Sequence, residues 1–148
     1  MHSFVSCLMH VVFSTKERRP WITPDIKDRL WPYLGGIARE NKMKALNVGG
    51  VEDHVHVLLS LPSTLDIAKA VQLLKGNSSK WIHETLPKLK TFEWQEGYGA
   101  FSIGVSGVED TIKYIENQAE HHRKQSFKDE LKAFLKKHEL EYQEWMLD

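Results

Sequence analysis

The stretch "GGVEDHVHVLLSLP", residues 49–62, decides how the chain is read. Side chains alternate faces along a strand, so residues two apart point the same way. His54 and His56 therefore project side by side from one surface. Val55, Val57, Leu59 and Leu61 project from the other, which reads as the core face. Two imidazoles on the second face are either half of a metal site or a pair of structural histidines. A single H-x-H does not separate the two, because it matches many proteins by accident. The rest of the chain has to decide.

Working outward, "MKALNVGGV" reads as the preceding strand, with Gly49 and Gly50 as a tight turn or bulge before the histidines. Upstream, "FVSCLMHVVF", residues 4–13, is rich in β-formers and reads as the first strand. Pro24 opens a helical segment, "PDIKDRLWPYLGGIARENK", in which Pro32 predicts a kink or a break. Downstream, Pro62 ends the histidine strand. Ser63 and Asp66 predict a capping box opening a helix through "LDIAKAVQLLK", with Ile67, Ala70, Val71 and Leu74 on one face. Gly76 and Asn77 weaken that pattern, so "SSKWIHETLP" reads as a further helical piece. "AFSIGVS" is a short fourth strand. Ser106 and Glu109 form an S-x-x-E capping box for a helix from Val108 to Arg123. "SFKDELKAFLKKHEL" is an amphipathic helix with Phe127, Leu131, Phe134 and Leu135 at helical spacing, docked on the body or on a partner.

The order β-α-β-β-α-β-α-α places the chain in the α+β class. Its first six elements follow the ferredoxin-like split βαβ pattern with an antiparallel sheet. A length of 148 residues suits one domain over 1–148, with 126–148 as a C-terminal helical tail. Hydrophobic content of 41% and charged content of 27% are those of a soluble globular protein. Twenty basic and twenty acidic residues cancel, so no global charge points to nucleic acid and only local patches remain. The lone Cys7 excludes an intrachain disulfide and suggests a reducing, cytoplasmic setting. The apolar "MHSFVSCLMHVVF" is interrupted by His2 and His10 and fits neither a signal peptide nor a membrane span.

The late helix carries "VEDTIKYIENQAEHHRKQ". At 100° per residue, Val108, Ile112, Ile115 and Ala119 form a packing stripe. Asp110, Tyr114, Gln118 and His121 share a neighbouring arc, and Tyr114 and Gln118 are one turn apart. A phenol, an amide, an imidazole and a carboxylate together are unlike an ordinary Lys/Glu solvent face.

The strand "DHVHVLLSLP" combined with "YIENQ" resembles the signature of the single-tyrosine HUH transposases. These are the IS200-like transposases of bacterial insertion sequences and the REP-associated tyrosine transposases. "HVVFSTKERRP", "LKGNSSKWI", "WQEGYGAFS" and "NQAEHHRKQSF" are similar to that family as well, so the resemblance spans nearly the whole chain. It implies an HUH-endonuclease fold in which His54, His56 and Gln118 ligate Mg²⁺ or Mn²⁺ and Tyr114 is the nucleophile. It further implies single-stranded DNA with a hairpin as substrate and a homodimer whose tyrosine helix serves the partner's histidine pair. Ligand type alone, with two imidazoles, would favour Zn²⁺ or another transition ion, so Mg²⁺ or Mn²⁺ rests on the resemblance. Asp110 and His121 are accessory candidates that could orient Tyr114 or relay its proton.

Lys16, Arg18 and Arg19 in "TKERR", Lys75 and Lys80 in "LKGNSSK", and Arg123 are candidate phosphate contacts. Trp21, Trp81, Trp94 and Tyr98 could stack on bases but read first as packing residues. Two other functions compete. A non-catalytic single-stranded nucleic-acid binding module would use the sheet but leave the histidine pair unexplained. A metal-dependent phosphoesterase would hydrolyse without needing Tyr114.

Overall fold

In a computed structural model describing residues 1–148, the histidine strand is an interior strand of a four-stranded sheet. The strands are β1 (Leu8–Ser14), β2 (Lys44–Val51), β3 (His54–Ser60) and β4 (Gly99–Ile103). They lie in the order β2-β3-β1-β4, and every neighbouring pair is antiparallel. This is the ferredoxin-like arrangement, with α1 (Pro24–Glu40) and α2 (Ile67–Thr85) as its crossovers. Both helices pack on the face that carries Val55, Val57 and Leu59. There they meet Met9, Val11 and Phe13 of β1 and bury Leu30, Leu34, Val71, Leu74 and Ile82.

The opposite face carries His54 and His56 and is also covered. α3 (Val108–Glu116), a short α4 (Gln118–His121) and α5 (Phe127–Lys137) lie over it. The apolar stripe of α5 docks on its own chain: Phe127 joins Val12 and Phe101 in a second small core, flanked by Leu131, Phe134 and Leu135. Ser126 caps α5 by accepting from Asp129 N at 3.2 Å.

Local expectations change where tertiary packing outweighs propensity. β1 starts at Leu8 rather than Phe4, because its partners run out at Ser60 and Ile103; Phe4 and Val5 are exposed. Pro32 does not break α1, which is one element. Gly76 and Asn77 do not divide α2. Leu74, Ser78 and Ile82 continue its buried face, and Asn77 and Ser78 bond back to the carbonyls of Leu73 and Lys75. Neither expected capping box forms. Asp66 itself caps α2 by accepting from Lys69 N at 2.6 Å. Gly107 stands at the start of α3, after a 3₁₀ turn over Val105–Gly107.

Gly49 and Gly50 are not the turn. They lie inside β2, opposite His56 and Val55, and the strand's bulge sits at Ala45/Asn47. The turn at Glu52–Asp53 is held from outside, since Ile22 N donates to Glu52 O and Thr15 N to Asp53 O. The reason for Gly49 is close approach. A Cβ there would lie 2.7 Å from Ile115 Cγ2 and 2.9 Å from Ile115 O, so only glycine lets α3 settle on the sheet. Gly49→Ala is therefore expected to cost about 1–3 kcal/mol and to lift the tyrosine-bearing helix. Urea unfolding measures the first effect, and increased amide exchange across α3 the second.

Candidate active site

β3 places His54 and His56 fully inside the protein, so every ring nitrogen needs a partner. The Nδ1 of His54 lies 2.7 Å from Asp53 Oδ1, and its Nε2 lies 3.1 Å from Gln118 Oε1. The Nδ1 of His56 lies 2.7 Å from His10 Nε2, and its Nε2 lies 3.0 Å from Glu130 Oε1. Each imidazole is thus clamped at Nδ1 and presents Nε2 to the space between sheet and helices. A partner on the far nitrogen is what fixes the tautomer of metal-binding histidines.

The tyrosine helix does not run on to Arg123. It stops at Glu116, and Asn117 leaves helical geometry at φ −98°, ψ 21° before α4 begins. The break changes the expected stripe. Ile115 stays buried, but Ala119 is exposed and Gln118 turns inward to 1% exposure. Gln118 Nε2 donates to Tyr114 O at 3.3 Å, which directs Oε1 at His54. Tyr114 is half-buried. Its ring centroid is 5.8 Å from that of His56 and 4.5 Å from that of His121. The structure therefore brings together Tyr114, Gln118, His54 and His56 within one chain. Asp110 and His121 line the same cleft of about 740 Å³ beside Tyr114.

Three residues of this cluster were not singled out from the sequence: His10, His122 and Glu130. Glu130 is 2% exposed and touches almost everything in the site. It accepts a short hydrogen bond from the Tyr114 hydroxyl and lies 3.4 Å from His54 Nε2. Its Oε2 is 3.3 Å from His122 Nε2, although that nitrogen has no well-directed hydrogen bond. His54, His122 and Glu130 have ligand atoms all within 4.8 Å of one another. Two of the three left readable traces. Glu130 falls on the apolar stripe of α5, between Phe127 and Phe134, where a carboxylate is out of pattern. His10 shares a strand face with Val12 inside an apolar run.

The electrostatics follow from burial and that carboxylate. Burial opposes charge on His54, but Asp53 and Glu130 outweigh it and raise its pKa to about 9. Burial, then the neighbouring His56, pushes His10 down to about 3 and keeps it neutral. His56 is lowered by burial despite Glu130. Burial, then the Glu130 carboxylate, lifts the Tyr114 phenol above its usual range. Burial opposes charge on Glu130 too, yet the surrounding His122, His54 and His56 imidazoles hold it well below the usual carboxylate range.

The expected phosphate contacts divide. Arg18 is committed internally: it donates to Leu147 O and stacks over Phe127. Lys75 donates to the carbonyls of Gln95 and Gly97. Lys16 pairs with Glu93 and Arg19 with Glu17, both at the surface. Lys80 is exposed, and Arg123 pairs loosely with Glu120 at 3.5 Å. Trp94 packs on Phe13 and Phe92, Trp21 on Phe92, and Trp81 on Tyr33. These tryptophans are packing residues, whereas Tyr98 is exposed.

A ferredoxin-like sheet presenting a histidine pair to a tyrosine-bearing helix defines an HUH-type, single-tyrosine DNA transposase. The chain belongs to the family described as "Transposase IS200 like", whose profile matches residues 3–118. It is similar to the transposase for insertion sequence element IS200 of Salmonella typhimurium. That match has 26% identity over 121 residues, spanning 76% of this chain and 79% of that protein. It is also similar to the ISDra2 transposase TnpA of Deinococcus radiodurans, at 28% identity over 114 residues, 74% of this chain and 81% of that one. Among solved structures, one described as a transposase from Deinococcus radiodurans R1 superposes with a TM-score of 0.67 at 25% identity, over 80% of this chain and 95% of that one. A REP-associated tyrosine transposase bound to a REP hairpin shares the fold, with a TM-score of 0.61 at 14% identity over 82% and 72% of the two chains.

The raised pKa of His54 has a consequence for the metal-free protein. Its folded value, about 9, lies above the ordinary 6.5, so pairing of the imidazolium with Asp53 and Glu130 stabilises fully below pH ~6.5 and is lost as pH rises through ~9. In EDTA, Asp53→Asn is expected to lower Tm by several degrees at pH 6 and by little at pH 10. Thermal melts across that range check it, and parallel curves for the two proteins would contradict it.

Proposed function

We propose that this transposase nicks and rejoins single-stranded DNA through a covalent 5′-phosphotyrosine at Tyr114. In this reading a divalent ion, Mg²⁺ or Mn²⁺, is held by His54, His56 and Gln118, and hairpin or palindromic element ends are the substrate. The observation that carries the proposal is the convergence of the Tyr114 phenol, two clamped imidazoles and the Gln118 amide oxygen on one covered sheet face. The hairpin carried by the REP-associated structure supports the choice of substrate. Two imidazole nitrogens and an amide oxygen point into the same space, and with His54 deprotonated that donor set suits a divalent ion. When bound, such an ion withdraws charge from a non-bridging phosphate oxygen.

Tyr114 supplies the reversible step. Its oxygen forms a bond to phosphorus as the P–O3′ bond breaks, and the departing 3′ oxygen takes up a proton. The phenolic proton must leave as attack proceeds, because burial and Glu130 hold the resting phenol protonated. A phenol titrates near pH ~10, well below an aliphatic alcohol, so a 3′-hydroxyl can later displace it and reform the phosphodiester without an external energy source. His121, whose ring lies tilted against that of Tyr114, and Asp110, in the same cleft, are its accessory groups. With Arg18 and Lys75 engaged internally, backbone contacts fall to the surface cations Lys16, Arg19, Lys80 and Arg123.

We read residues 1–148 as one transposase domain acting in the cytoplasm. Its 126–148 tail belongs to the body, where Lys128 pairs with Asp148 at 2.9 Å and Leu147 is buried. No helix is long and apolar enough to cross a membrane. The homodimer and trans active site implied by the resemblance meet a cis geometry here, since Tyr114 faces its own chain's histidines.

Incubation with hairpin-bearing single-stranded DNA and Mg²⁺ or Mn²⁺ is expected to give a covalent adduct at Tyr114, visible as a gel shift that survives denaturation. Tyr114→Phe should abolish both adduct and cleavage. Cleavage that persists in that variant without an adduct would mean hydrolysis and defeat the transferase mechanism. Mixing Tyr114→Phe with His54→Ala chains separates the two assemblies. A cis site leaves the mixture inactive, whereas a trans site restores up to about a quarter of wild-type cleavage, the share of randomly exchanged sites that pair two intact halves.

A further inference from the structure

We propose that Glu130 is a further protein ligand of the divalent ion, so that α5 closes the metal centre as well as covering it. The proposal rests on the metal-centre reading above and extends it to a residue beyond the matched family profile, which ends at residue 118.

The argument is one of lone pairs. His54 Nδ1 faces the Asp53 carboxylate at 2.7 Å, so in the neutral ring the proton sits at Nδ1 and the Nε2 lone pair faces inward. His56 Nδ1 lies 2.7 Å from His10 Nε2, a neutral ring that can accept its proton, and in that tautomer the second ring also turns an Nε2 lone pair inward. Gln118 gives its N–H to Tyr114 O, which leaves its oxygen 3.1 Å from His54 Nε2. Into this group of acceptors the fold inserts another. Glu130 Oε1 lies 3.0 Å from His56 Nε2 and 3.4 Å from His54 Nε2. Four potential ligand atoms from β3, α4 and α5 lie around Glu130 Oε1 and His54 Nε2, and in the state with both rings neutral and protonated at Nδ1 all four present lone pairs. All four side chains are at most 2% exposed, so bulk water does not separate them. With both rings neutral these buried acceptors would repel unless a positive charge sat among them, and a divalent cation would supply it.

Glu130 is also held as a ligand needs to be. Phe127 and Phe134, on either side of it on α5, pack against His54 and Phe101. Its second oxygen is engaged by the Tyr114 hydroxyl, with His122 Nε2 at 3.3 Å. Two imidazoles, an amide and a carboxylate form a mixed nitrogen–oxygen set that leaves about two positions of an octahedron for a phosphate oxygen and water. The carboxylate adds negative charge, so it raises affinity for the ion while reducing its pull on the phosphate.

The test is Mn²⁺ binding to the full chain, followed by calorimetry and by the EPR signal of free Mn²⁺, with no DNA present. Wild type is expected to bind one ion, His54→Ala to lose it, and Glu130→Gln, which keeps the shape of the side chain, to bind at least about tenfold more weakly. Glu130→Gln binding as tightly as wild type while His54→Ala does not bind would overturn the role of Glu130 and leave the metal centre standing. Binding unchanged in both variants would defeat the metal-centre reading itself. If Glu130→Gln fails to fold, hydrogen exchange of the wild-type chain decides: Mn²⁺ should slow exchange across α5, and an unchanged α5 sinks the proposal.

Discussion

Two imidazoles without exposed surface present four ring nitrogens that water cannot reach. Leaving such a group unpaired costs about 1–3 kcal/mol, and that constraint organises everything on the second face of the sheet. The partners come from four different segments. Asp53 is in the turn before β3, His10 is on β1, Gln118 is on α4 and Glu130 is on α5. No short piece of chain could supply them, so the covering helices are as necessary to the histidines as the core helices are to Val55 and Val57.

The geometry of that cover depends on two backbone details. Gly49 offers no Cβ, which lets Ile115 rest directly on β2. Asn117 breaks the helix between the tyrosine and the glutamine. In an unbroken helix Tyr114 and Gln118 would look out along nearly the same direction, about 40° apart. With the break, Gln118 turns fully inward to His54 while Tyr114 stays half-buried at the cleft. One side chain is given to the buried cluster and the other to the place a substrate can reach.

The strand alternation around His54 and His56 was legible because it depends on a period of two and on nothing distant. The same holds for the β-α-β-β-α-β order and for the apolar stripe of α5. Helix ends were less legible. Ser63 and Ser106 have the right residue types for caps, but Asp66 takes the first position with its own carboxylate on Lys69 N, and Ser106 is taken up in the 3₁₀ turn that leaves Gly107 at the start of α3. The continuity of α2 through Gly76 and Asn77 was hidden for a related reason, since the buried face outweighs a propensity deficit of about 1 kcal/mol for glycine. Glu130 and His10 were hidden for the opposite reason. Each sits in an element whose apolar pattern explained it well enough without them, and their role depends on contacts 74 and 46 positions away in the chain.

Glu130 also sets the electrical character of the site. In the proposed reaction the phenol beside its carboxylate would lose a proton and the cleft would admit an anionic phosphodiester, and negative charge opposes both events. In the metal-free chain the opposing charge comes from the protonated His54, held by Asp53 on its other side. An imidazolium, however, has no lone pair for a metal. In the proposed mechanism His54 would have to give up that proton to hold a divalent ion, which would put two positive charges where there was one. That exchange would leave the site more positive by one unit, which would favour both a bound phosphate and a developing phenolate. The charge on His54 and the proposed ion would thus be alternative ways of balancing one buried carboxylate, and only the second would leave a surplus for chemistry.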